Sequence, residues 1–152
     1  MADVKSINNI DLSQTSRQRF SVNNDPDRVV WLNLSDVGIA ARFQEYNPKF
    51  FEILEKIEKA SKETSDDEQG VTELVNTLKQ ADIEMRELMD KLFDADVSKA
   101  CAPDGTMYDL FDGKFRFQII IEALAQLYND NLDTELAALK KKADKYTKKY
   151  HK

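Results

Sequence analysis

The two side chains with the strongest intrinsic chemistry are His151 and Cys101, and the chain has one of each. A histidine beside a serine or cysteine could act as general base for a nucleophile. His151 stands in a closing segment, where fraying defeats a fixed catalytic geometry. Cys101 has neither a CxxC partner nor a neighbouring histidine, so it reads as a small buried hydrophobe. Asp94, Asp96, Ser98, Asp104 and Asp112 raise the question of calcium. A twelve-residue calcium loop opening at Asp94 needs glycine at its sixth position and glutamate at its twelfth; the sequence has Lys99 and Gly105 there. Gly38, Gly70, Gly105 and Gly113 are too scattered for a phosphate-binding loop or a dinucleotide fingerprint. Glu84 and Glu87 share a helix face, where solubility is the simpler account. The expectation is a non-catalytic protein with no cofactor and no metal.

The elements around these residues follow from composition. In 152 residues, 33% are charged and 41% hydrophobic, with four glycines and three prolines, a balance that favours helix. A chain of this length builds one domain that buries roughly 70% of its unfolded surface. The opening residues lack the apolar run of a signal peptide, and no stretch approaches a membrane span. One cysteine excludes an internal disulfide, and the sequon Asn33-Leu34-Ser35 has no secretory context, so the expected compartment is the cytoplasm. Residues 140–152 carry seven lysines and one aspartate, a formal charge of +6, which leaves −12 on residues 1–139. An acidic body argues against nucleic acid as a partner outside this basic segment.

Residues 1–16 read as a flexible polar leader, with a single helical domain over 17–152. Within the hairpin region 17–34, runs at Arg19–Val22 and Arg28–Leu34 flank Asn23-Asn24-Asp25-Pro26-Asp27. Phe20 with Val22 and Val30 with Leu32 alternate at period two, which predicts a hairpin turning through those five residues. Ser35 is the expected N-cap of the next helix. Its apolar stripe is Ile39, Phe43, Tyr46, Phe50, Leu54 and Ile57, with a kink or break near Asn47 imposed by Pro48.

After an acidic connector at 61–70, Val71, Leu74, Val75, Leu78, Ala81, Met85, Leu88, Met89 and Leu92 mark a core-facing helix, with Glu73, Lys79, Glu84, Arg86 and Glu87 outside. Met85 and Met89 suit a core better than an adaptable partner groove. Residues 94–114 read as a loop with one short helical turn at Val97–Ala102. A last helix starts near Phe115 with Phe117, Ile120, Ile121, Leu124 and Leu127 or Tyr128 inward, and Ile119-Ile120-Ile121 predicts burial on most sides. Leu132, Leu136, Leu139, Ala143, Tyr146 and Tyr150 extend the stripe at steps of four and three. The lysines of 140–152 then form the solvated face of a helix end, where they also suit the macrodipole.

The stretch FSVNNDPDRVVWLNLSDVGIAARF, residues 20–43, and the closing KYTKKYHK, residues 145–152, resemble tail assembly chaperones of siphophages and prophages of Gram-positive bacteria. These are small proteins encoded just before the tape-measure gene; the leader before Phe20 departs from their pattern. The resemblance implies a two-stranded opening element, an SDV-type helix start, an acidic middle helix, a loop with a small glycine motif and a final helix ending in lysine and tyrosine. Together with the periodicity it gives a mainly α fold, a bundle of about four helices with an N-terminal β-hairpin.

The resemblance also implies a function in the bacterial host cytoplasm: binding and solubilising the tape-measure protein during tail morphogenesis, with the tail-tube protein a further possible partner. Several copies acting together as a homo-oligomer are expected. Candidate contacts are the hairpin residues Phe20, Val22, Val30 and Leu32, whose strand edge would pair between copies, and Lys145, Tyr146, Lys148, Lys149 and Tyr150. The alternatives are a head or tail component retained in the virion, or a nucleic-acid-binding accessory acting through residues 140–152.

Overall fold

A computed structural model describes residues 8–11 and 17–150, without the side chains of 135, 139 and 142–150. Most of the leader and His151 therefore lie outside the described residues. The order is β1 (Gln18–Val22), β2 (Asp25–Leu32), α1 (Ile39–Glu63), α2 (Glu68–Phe93), α3 (Val97–Cys101), β3 (Leu110–Phe111), β4 (Lys114–Phe115) and α4 (Arg116–Tyr150). Among the described residues this is the expected mainly α architecture with an N-terminal hairpin. A second, very small ribbon, β3–β4, was not anticipated from the sequence.

The first hairpin turns more tightly than expected. Asn23 and Asn24 have φ of 53° and 59°, the pair of left-handed residues that defines a type I′ turn, and Val22 pairs directly with Asp25. Asp25 and Pro26 thus belong to β2, and the register jumps so that Ser21 faces Val29. The ribbon β3–β4 repeats the device: Asp112 and Gly113 take φ of 51° and 81°, and Phe111 pairs with Lys114.

Ser35 is not the cap of α1. The cap is Gly38 and the helix begins at Ile39, after a turn in which Asp36 Oδ1 accepts the Gly38 N–H at 2.9 Å while Oδ2 meets Arg42 at 2.6 Å. Nor does Pro48 break α1, which continues unbroken to Glu63; the carbonyl of Gln44 simply loses its helical donor. The acidic connector is shorter than expected, since α1 and α2 are separated only by 64–67. Asp67 caps α2 by accepting the Gly70 N–H at 2.7 Å. Glycine is required at 70, because a Cβ there would collide with the Ser65 carbonyl.

The core joins Val30 and Leu32 of the hairpin to Phe50 and Ile53 of α1, the second half of α2, α3, and Phe117, Ile120, Ile121, Leu124 and Tyr128 of α4. Phe117 is its hub: its ring stacks on Phe50 at 4.9 Å and on Phe115 at 5.6 Å, with Phe51 edge-on at 5.9 Å. Met85 and Met89 are fully buried, as ordinary core. Five stripe residues are not covered: Phe43 on α1, Val71 and Val75 on α2, and Leu132 and Leu136 on α4 are exposed; on α2 the core occupies only the C-terminal half. Ile119, expected to be buried, is 38% exposed.

The expectation that Arg86 lies outside is corrected. Its Nε holds Asp82 at 2.9 Å, and its remaining nitrogens donate to the carbonyls of Ser98, Ala102 and Gly105 at 3.3, 2.8 and 3.0 Å. Asp82 Oδ1 in turn accepts the Met107 N–H at 2.8 Å. Removing the guanidinium leaves the Ala102 and Gly105 carbonyls without this donor and the Asp82 carboxylate with the Met107 N–H alone, an effect of about 2 kcal/mol for a partly buried charged network. Arg86→Ala should therefore lower unfolding free energy by that order in urea titrations. Arg19→Ala, on the exposed face of β1, should change it by less than about 0.5 kcal/mol.

Candidate functional site

Five of the six arginines donate to backbone carbonyls, and this fixes the surfaces left for other work. Arg42 caps the Leu92 carbonyl at the end of α2, and Arg28 reaches the carbonyls of Ala100 and Cys101 at the end of α3. Arg17 binds the carbonyl and carboxylate of Asp94. Asp90 holds the start of α3 by accepting from the N–H groups of Val97 and Ser98 and from the Ser98 hydroxyl. The hollow beside Trp31 is lined in part by Arg17, Asp90 and Asp94, whose charged groups already serve the fold.

A different cleft remains between the hairpin and α4. Phe20 and Val22 of β1 with Val30 of β2 form one wall; Ile119, Ile120, Ala123, Leu124 and Leu127 form the other, with Cys101, Phe111 and Arg116 also lining it. The volume is about 520 Å³ and the lining is mainly apolar. On α4, positions 119, 123 and 127 make an i, i+4, i+8 ridge spanning roughly 12 Å, about two helical turns. Phe111 is 44% exposed at the mouth, and the Arg116 guanidinium lies 4.9 Å from its ring centre. Arg116 also donates to the Asp104 carbonyl, which fixes the positive end of the cleft.

The candidate hairpin residues therefore divide. Phe20, Val22 and Val30 come together on one wall of the cleft, although Val30 is 2% exposed and offers little more than backing. Leu32 is completely buried and offers no side chain to a partner. The strand edge remains distinct from these side chains: in its sheet β1 pairs with β2 alone. The side chains of Lys145, Tyr146, Lys148, Lys149 and Tyr150 lie outside the described residues. The α4 wall, Ile119, Ala123 and Leu127, was missed because a one-dimensional stripe assigns helix faces to a core without showing which neighbour stops short.

Burial pushes the Cys101 thiol above its ordinary pKa, with Asp90 adding to the rise and Arg28 opposing it. Among the described residues no three His, Cys, Asp or Glu side chains are placed to hold a metal ion, and no helix is long and apolar enough to cross a membrane. The site is thus a mainly apolar cleft in a mainly helical protein. No family model matches the chain, and neither a curated protein nor a solved structure matches it.

Two measurements test this geometry. A protonated, half-buried thiol should react with Ellman's reagent at pH 8 at least roughly tenfold more slowly than free cysteine, and unfolding in urea should restore the free rate. The Arg42 hydrogen bond holds the Asp36 carboxyl below its usual range, and the Thr106 hydroxyl does the same for Asp109. Both folded pKa values lie below the unfolded ones. Their stabilisation is complete above the unfolded values, near pH 4, and is lost as pH falls through the folded ones. Asp36→Asn should accordingly flatten the acid limb of a stability-versus-pH curve.

Proposed function

We propose that this chain is a non-catalytic tail assembly chaperone of a siphophage or prophage, which binds the tape-measure protein and keeps it soluble until tail-tube subunits surround it. The observation that carries the reading is the apolar cleft between β1 and α4. Its α4 wall runs the length of about two helical turns, and its mainly apolar lining suits a segment recognised by shape and apolar contact. A tape-measure protein, as the resemblance implies, is a long, largely helical and apolar chain. A carrier with net charge −6 supplies the charge that such a complex needs to stay dispersed. The resemblance of residues 20–43 and 145–152 to this class supports the same assignment, with 145–150 the proposed second contact to tape-measure or tail-tube protein.

Co-expression with the tape-measure protein of the same phage should raise the latter's soluble fraction and allow co-purification. Ala123→Glu, which places a charge on the α4 wall, should abolish that gain while leaving the helical circular dichroism unchanged. An unchanged soluble fraction with the native chain would remove the proposal's support. Recovery of the chain in finished particles by mass spectrometry would favour a structural component of the virion.

A further inference from the structure

The outer half of α4 carries a second apolar surface, separate from the cleft. The last described tie from α4 to the body is the hydrogen bond from Asn131 Nδ2 to the Leu34 carbonyl, 3.1 Å. Beyond it the helix runs on to Tyr150, about 28 Å at 1.5 Å per residue. Leu132 and Leu136 on this part are 43% and 54% exposed. They open the series 132, 136, 139, 143, 146, 150, whose alternating steps of four and three repeat every 3.5 residues, the spacing of a coiled-coil seam.

Charge along the same stretch identifies what covers the seam. Residues 129–139 contain three acids and no base, whereas 140–150 contain six lysines and one aspartate. A parallel partner of identical sequence would lay lysines on lysines. An antiparallel copy lays the acidic half on the basic half and opposes the two helix dipoles. With Leu136 set against position 139 of the second copy, Asp133 falls opposite Lys140 of that copy, and the two-fold axis repeats the pair. Asp133 and Lys140 are both exposed and flank the seam.

We infer that the outer half of α4, residues 132–150, pairs antiparallel with the same segment of a second copy of this chain, with Asp133 and Lys140 as reciprocal partners across the seam. This goes beyond the proposed function, since it concerns self-association and stands whether or not a tape-measure protein occupies the cleft.

The test is a charge-swap cycle on the full chain, read by sedimentation equilibrium. The native chain should dimerise. Asp133→Lys and Lys140→Asp should each weaken the dimer by on the order of tenfold, and the double variant should restore most of the loss. Thermal melts of the four proteins should coincide at concentrations where all are monomeric, because neither position touches the core. A native chain that stays monomeric at every accessible concentration overturns the inference. So does a dimer indifferent to the single changes, or one that the double variant weakens further.

Discussion

The Asp82–Arg86 pair on α2 is the interaction on which the rest of the molecule depends. The segment between α2 and α4 contains one helix of five residues and two strands of two, too little regular structure to order itself. Its carbonyls at Ser98, Ala102 and Gly105 are gathered onto one guanidinium, and the Met107 N–H onto one carboxylate. Met107 passes the constraint onward, because its carbonyl accepts the Phe117 N–H at 2.9 Å. Phe117 then stacks on Phe50 of α1. The first turn of α4, and with it one wall of the apolar cleft, is thus located by a salt bridge on a different helix.

Arginine has this role throughout, for a reason rooted in its geometry. A planar guanidinium spreads its donors over separate nitrogens and so meets carbonyls that lie well apart, whereas all of lysine's donors converge on a single nitrogen. The chain has 16 lysines, and those paired among the described residues, such as Lys62 with Glu58 and Lys49 with Glu45, make exposed ion pairs of small energetic weight. The cations that shape the fold are therefore partly buried arginines bound to backbone.

What the sequence revealed and what it hid divide along the same physical line. Period 3.6 places Phe117, Ile120, Ile121, Leu124 and Tyr128 on the inner face of α4 correctly, and Met85 and Met89 in the core, since a face is a local property. How far a neighbour extends along that face is not local, and this is why Val71 and Val75 fit the stripe yet remain exposed. Turn chemistry was partly readable. Asn23-Asn24 and Pro26 both signal a turn, and only pairing across the hairpin decides that the asparagines make it. Asp112-Gly113 carries an explicit type I′ signal, but its flanking strands are too short to show alternation. The cleft was the least legible feature, because Phe20 and Ile119 are close in space and about a hundred residues apart in sequence.

On the proposed reading, the modest size of the cleft and the self-pairing of α4 belong to one physical problem. A chaperone must expose enough apolar surface to hold its client, yet any large patch would drive its own precipitation. A two-turn cleft keeps each site small and each contact weak, which also leaves the client releasable. Linking two such sites through the outer half of α4 turns the second contact on one long client into an intramolecular step, governed by effective concentration instead of by a larger interface. The reversal of charge between 139 and 140 serves that arrangement: antiparallel pairing consumes lysines against acids, and the pair of bodies stays strongly acidic. Affinity for a repetitive, elongated partner then rises with the number of linked copies, while each copy keeps an apolar surface small enough for water to tolerate.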